Sequence, residues 1–145
     1  MKKLNILFVC RYNRFRSRIA KAYFDKINKN KNWRAKSAGL IKGLSVGGRG
    51  KKIAKTKYKL DIKGTTQGLS SPIMVWQNLT VIVADDVPPQ VFNKNKKYGK
   101  KVIVWRIKDA NKEKGRSYEQ VIEEVIKKVD SLVKQLEKER WTLKQ

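Results

Sequence analysis

Cys10 and Arg16 are the residues whose types and spacing can do chemistry. Five residues separate them in "CRYNRFRSR" (10–18), a stretch that holds the single cysteine of the 145-residue chain and four arginines. A loop of this length can wrap a tetrahedral oxyanion; a much shorter one could not enclose it, and a much longer one would not hold the geometry. Successive backbone N–H groups in such a loop can converge on one centre, and a helix N-terminus that follows adds its positive end. Arg16, at the far end, can fold back and grip two oxygens with its guanidinium fork. Cysteine reacts as the thiolate, the form that positive surroundings favour. A thiolate beneath a bound phosphorus atom can attack in line and form a phospho-cysteine, while loop amides and Arg16 hold the equatorial oxygens of the transition state.

The chain has no histidine. A Ser-His-Asp triad and a Cys-His pair are therefore excluded, as are zinc sites built on imidazole. The arginines supply electrostatically what imidazole would otherwise supply as a base, and neither a metal nor a cofactor enters this chemistry. A bare C-x5-R pattern is a weak signal, and the competing interpretation is an ordinary buried cysteine with arginines on the surface. Context favours the anion site: an apolar run precedes Cys10, Ser17 follows Arg16, and a helical pattern follows Ser17.

The surrounding elements place this loop where an α/β protein builds its site. "LNILFVC" (4–10) reads as a buried strand of a parallel sheet. The N-terminal lysines and this run are too short for a secretory signal and lack a cleavage site. "SRIAKAYFDKI" (17–27) has Ile19, Ala20, Tyr23, Phe24 and Ile27 at helical spacing, with Ser17 as its expected cap. "WRAKSAGL" (33–40) predicts a second strand, "GLSVGGRG" (43–50) a loop, and "KKIAKTKYKL" (51–60) a basic helix. "LTVIVADD" (79–86) and "KVIVWRI" (101–107) predict two further strands. From Tyr118 to Leu136 apolar residues recur at three- and four-residue steps, and Ser117 with Gln120 forms a capping box ahead of them. Alternating strands and helices in one domain, residues 1–145, predict an α/β sandwich with right-handed crossovers. Ligands in such sheets bind outside the carboxyl ends of the strands, where Cys10 falls.

The formal net charge of +24 is extreme for this length. It either reflects solvated lysine-rich faces or marks anionic partners such as nucleic acid or phosphorylated ligands. No apolar run approaches the roughly 18 residues of a membrane span, so no membrane is expected as a partner. A lone cysteine fits a reducing cytoplasm. "GLSVGGRGKK" lacks the Gly-Lys-Ser/Thr of a nucleotide-binding loop.

"ILFVCRYNRFRSRIAKAYF" resembles the signature of the low-molecular-weight protein tyrosine phosphatase family: apolar strand, Cys, five residues, Arg-Ser, and an Ile-Ala-containing helix. "SAGL" (37–40) and "VIVWRIKDANKEKG", followed by the long helix, extend the resemblance over nearly the whole chain. The resemblance implies a three-layer sandwich with a four-stranded parallel sheet in flavodoxin-like order 2-1-3-4, flanked by helices. It also implies hydrolysis of phosphorylated proteins or small aryl phosphates with Cys10 as nucleophile, Arg16 as clamp and Asp109 as general acid. Arg11, Tyr12, Asn13, Arg14, Phe15 and Ser17 then form the phosphate-binding set; Asn13 holds a strained loop, Ser17 hydrogen-bonds the sulfur, and Ser37 supports the loop. Asp85 and Asp86 are the competing acids. The departures are Tyr12 for a common glycine and Phe15 for a second loop cysteine. Arg18 and Ala110 stand where prolines are usual, and "NKEKG" replaces the tyrosines that stack on a substrate ring. A second hypothesis keeps the fold and the phosphate loop but removes turnover, leaving an oxyanion- or nucleic-acid-binding protein.

Overall fold

Five of the seven residues of β1 (Leu4–Cys10) are buried, as a strand covered on both faces must be. It lies in a four-stranded sheet with β2 (Trp33–Gly39), β3 (Leu79–Val83) and β4 (Lys101–Trp105). The order is β2-β1-β3-β4 and every pairing is parallel, as the resemblance implied. The computed structural model describes residues 3–98 and 100–144.

The pleat sends alternate residues of β1 to two cores. Ile6 and Phe8 pack with α1 (Arg16–Ile27) and α5 (Tyr118–Lys144), through residues such as Ile19, Phe24, Val121 and Val125. Leu7 and Val9 pack on the opposite face with Ile73 of α3 (Ser71–Trp76) and with Phe92 of a 3₁₀ turn at Pro89–Phe92. The remaining helices are α2 (Gly48–Tyr58) and α4 (Asn93–Lys97). Among the described residues no helix is long and apolar enough to cross a membrane.

The capping box closes as expected: Ser117 N–H donates to Gln120 Oε1 at 2.8 Å, and Gln120 N–H donates to Ser117 Oγ at 3.1 Å. Other boundaries differ from the sequence expectation. β3 and β4 stop at Val83 and Trp105, so the acidic pair Asp85-Asp86 and the basic Arg106 lie past the strand ends. Helix α2 begins at Gly48, inside the stretch expected to be loop, and ends where Lys59 adopts φ 56. Helix α3 starts behind Ser70, whose Oγ accepts from Ile73 N–H at 3.4 Å; six residues are too few for periodicity to reveal it.

At the carboxyl end of the sheet, Cys10 is in register with Gly39, and Ile82 of β3 is in register with Val9. The loops leaving β1, β3 and β4 therefore converge on one edge.

Candidate active site

The loop between β1 and α1 turns its carbonyls outward. Those of Cys10, Arg11 and Tyr12 accept from the amides of Leu40, Ile41 and Gly43 at 2.9, 2.9 and 3.0 Å. No protein acceptor among the described residues takes the amide N–H groups of residues 11–15. That is the arrangement an anion nest requires. The reversal is made at Asn13, whose φ of 56° is left-handed, a conformation asparagine tolerates better than most residues.

Asn13 is fully buried, and its side chain ties the loop to three other segments. Nδ2 donates to Ser17 Oγ at 2.9 Å and to Ser37 Oγ at 3.0 Å. Oδ1 accepts from Gln67 N–H at 3.0 Å and from Arg18 Nη1 at 3.1 Å. Ser17 Oγ lies 3.0 Å from Cys10 Sγ. Ser17 is therefore not the cap of α1: the helix begins at Arg16, with no side-chain cap bond, because the serine hydroxyl is committed to the sulfur and to Asn13.

Gly39 ends β2 directly under this loop. A Cβ there would lie 2.5 Å from Ile41 O, 2.7 Å from Asn13 N and 2.7 Å from Tyr12 C. All three are backbone atoms, so the glycine of "SAGL" is needed for close approach of two chains.

Arg16 is 3% exposed and reaches acids from two loops. Its Nη2 donates to Asp86 Oδ1 at 3.0 Å, its Nη1 lies 3.5 Å from Asp85 Oδ1, and Asp109 Oδ2 lies 3.9 Å from Nη2. Nη1 also donates to Ile107 O at 3.0 Å. Nε has no acceptor among the described residues, and Nη2 spends one of its two hydrogens on Asp86. The Nε/Nη2 edge thus remains as a fork for two oxygens.

Cys10, Arg16 and Asp109 line one cavity of about 270 Å³ together with Tyr12, Arg14, Phe15 and Tyr118. Asp85 and Asp86 touch Arg16 but do not line this cavity. Cys10 itself is 2% exposed. Asp109 is exposed, and its Oδ1 accepts from Ala110 N–H at 2.9 Å.

The structure separates the remaining expected residues. Arg14 is on the cavity wall, its Nε donating to Ser45 O at 2.6 Å. Arg11 is on the rim instead: it donates to Tyr12 Oη at 3.2 Å and to Asp86 O at 3.1 Å. The bond to Tyr12 raises the Arg11 pKa above the ordinary arginine value. Asn13, Ser17 and Ser37 are buried behind the loop rather than facing the cavity.

Three residues of this region, Tyr118, Gly50 and Gln67, were not singled out by the sequence, and Arg18 stood out only as a departure. Tyr118 belongs to the apolar stripe of α5, yet it faces the cavity and meets Phe15 edge-on at 5.1 Å between ring centroids. It supplies an aromatic wall where "NKEKG" has no tyrosine. That segment is a tight reversal in which Asn111 and Arg116 pair antiparallel and Gly115 has φ 69, returning the chain to Tyr118. Gly50 admits both rings, since a Cβ there would lie 2.8 Å from Phe15 and 3.0 Å from Tyr118. Gln67 and Arg18 hold Asn13 from behind. Arg18, standing where proline was expected, also donates to the carbonyls of Lys63 and Thr65 at 2.6 and 2.9 Å. Burial lowers its pKa from the ordinary arginine value. An aromatic residue on the first turn of α5 was the one available signal for Tyr118; Gln67 has none.

The profile of the low molecular weight phosphotyrosine protein phosphatase family matches residues 5–142. Comparison with curated proteins yields no match. Among solved structures, a low molecular weight protein tyrosine phosphatase from T. tengcongensis is 23% identical with a TM-score of 0.76, covering 92% of this chain and 99% of its own. An arginine phosphatase from Geobacillus stearothermophilus is 21% identical with a TM-score of 0.76, covering 96% of each chain. A thioredoxin-dependent arsenate reductase from Corynebacterium glutamicum is 18% identical with a TM-score of 0.70, covering 94% of this chain but 63% of its own. These three share the fold.

Proposed function

This chain belongs to the low molecular weight phosphotyrosine protein phosphatase family, and we propose that it hydrolyses phosphate monoesters, phosphotyrosine in proteins and small aryl phosphates, through a phospho-cysteine. The observation that carries the proposal is the meeting of Cys10, Arg16 and Asp109 on the walls of one cavity, beside amides that have no protein acceptor among the described residues.

Cys10 Sγ attacks phosphorus; the S–P bond forms as the bond from phosphorus to the leaving oxygen breaks. Asp109 gives its proton to that oxygen, so a phenol rather than a phenolate departs. The amides of the loop and the Nε/Nη2 fork of Arg16 hold the three equatorial oxygens. Water then attacks the phospho-cysteine, Asp109 takes its proton, and inorganic phosphate and the thiolate are released. Ser17 donates a hydrogen bond to the sulfur as it departs. Arg11 and Arg14 add positive potential that draws anionic substrates. Tyr118 and Phe15 offer ring faces to an aryl group. Arsenate reduction by thiol relay requires further cysteines, and these residues hold one. A single buried thiol suits work in a reducing cytoplasm.

The test is turnover of p-nitrophenyl phosphate beside phosphotyrosine and phosphoarginine peptides, by wild type and Cys10→Ser. The proposal expects release from the aryl esters by wild type alone. Equal rates from both proteins would remove the assignment, and turnover of phosphoarginine alone would move the substrate class.

A further inference from the structure

A second cleft, of about 600 Å³, lies behind the phosphate loop and shares no lining residue with the catalytic cavity. Its volume is that of a small-ligand site. Two segments supply its cations: Arg18, Lys21 and Lys26 from α1, and Lys59 and Lys63 from the chain after α2. Two acids also line it, and each is matched by a lysine: Asp25 with Lys21 at 2.5 Å, and Asp61 with Lys63 at 3.7 Å. Lys26 and Lys59 have no carboxylate partner among the described residues. Lys36 of β2 also lines the cleft, but its ammonium is turned away onto the Trp76 ring at 4.5 Å; Lys26 donates to Tyr58 O at 3.3 Å. Arg18 spends its guanidinium on carbonyls and on Asn13, and so brings a fixed positive charge to the cleft wall.

We propose that this cleft is a second anion site and that its ligand is an oligophosphate. Lysine ammoniums are point charges on flexible stems, suited to a chain of adjacent phosphates rather than to one planar carboxylate. No aromatic ring lines the cleft, so it lacks the stacking platform on which single-stranded nucleic acids are held. Three of its residues, Arg18, Ser37 and Gln67, bond Asn13 directly, so the site backs onto the catalytic loop without depending on catalysis at Cys10.

The test is calorimetric titration of the full chain with sodium tripolyphosphate at low salt. Lys26→Glu combined with Lys59→Glu is expected to weaken binding about tenfold or more. Lys127→Glu combined with Lys134→Glu changes net charge equally on the exposed face of α5 and is expected to weaken it less than about twofold, because screened distant charges contribute little. Arg16→Ala is expected to leave binding in place. Lys26→Gln with Lys59→Gln, which neutralises without reversing charge, is expected to fall between wild type and the glutamate pair. Equal weakening by the two glutamate pairs would reduce the site to the general field of the protein and overturn the proposal. So would loss of binding in Arg16→Ala alone, which would place the anion in the catalytic loop. A single-stranded oligothymidylate bound more tightly than tripolyphosphate, with the same lysine dependence, would overturn the ligand assignment.

Discussion

Replacing Asn13 separates the two forces that shape the phosphate loop. Asn13→Ala deletes four side-chain hydrogen bonds and places a Cβ-bearing residue with no local hydrogen-bonding capacity at φ 56. The bond to Arg18 is the cheapest to lose, since part of that guanidinium reaches water. The bonds to Ser17 and Ser37 are buried, and Gln67 N–H is left without its acceptor. At roughly 1 kcal/mol net for each of these three, the hydrogen-bond loss is about 3 kcal/mol. The left-handed backbone adds about 1–2 kcal/mol for alanine, giving a total of about 4–5 kcal/mol, a large share of the ~5–15 kcal/mol of a typical domain. Asn13→Gly removes the same bonds without the strain, though the greater freedom of glycine in the unfolded chain gives back about 0.4–1 kcal/mol. Glycine is therefore expected to be the milder change, by about 1 kcal/mol or less. Urea unfolding with a common slope measures both. Both variants are also expected to lose about a hundredfold in aryl phosphate turnover, because a loop displaced by about 1 Å misplaces sulfur and amides together. Full activity in Asn13→Gly, or a loss of stability under about 1 kcal/mol in both variants, would refute this account of how the loop is held.

Other substitutions probe the walls of the cavity. Asp109→Asn is expected to cost about 10²–10⁴ in turnover of phenyl phosphate, whose leaving group needs a proton, and much less with p-nitrophenyl phosphate; Asp85→Asn should show no such dependence on the leaving group. The reverse pattern would transfer the acid role to Asp85. Tyr118→Ala should raise KM for aryl phosphates by about three- to tenfold, the worth of one ring contact, while leaving inhibition by inorganic phosphate unchanged. Burial, and then the hydrogen bond to Asp130 at 2.7 Å, push the Tyr23 pKa up to about 12. Because the folded value lies above the ordinary 10.0, this group stabilises fully below pH 10 and its contribution fades as pH rises towards 12. Tyr23→Phe should remove that part of the alkaline loss of stability seen in thermal melts.

What could be read in advance was local or periodic. β1 is a short apolar run and α5 repeats for several turns, so each declares itself in a window of its own sequence. Cys10 and Arg16 are close enough along the chain for one loop to join them. What could not be read is held by distant contacts. Gln67 matters only because its N–H reaches Asn13 Oδ1, fifty-four residues away. Gly50 matters because two rings from different elements fill the space beside it. Tyr118 satisfied the helical period and so looked like any other core residue of α5. Ser17 had the right type for a cap, but the nearby sulfur and Asn13 compete for its hydroxyl and win. Arg18 stood out as a departure from proline; its work as a tie between the loop and residues 62–65 depends on carbonyls that only the folded chain brings near.

The central claim is that phosphoryl passes through the sulfur of Cys10. The direct measurement is acid quenching of the enzyme during turnover of p-nitrophenyl phosphate, followed by intact-mass and peptide analysis. The account predicts one added phosphoryl group, located on the peptide containing Cys10 and absent from Cys10→Ala. Steady hydrolysis with no modified Cys10 peptide at any quench time, and undiminished in Cys10→Ala, would contradict it.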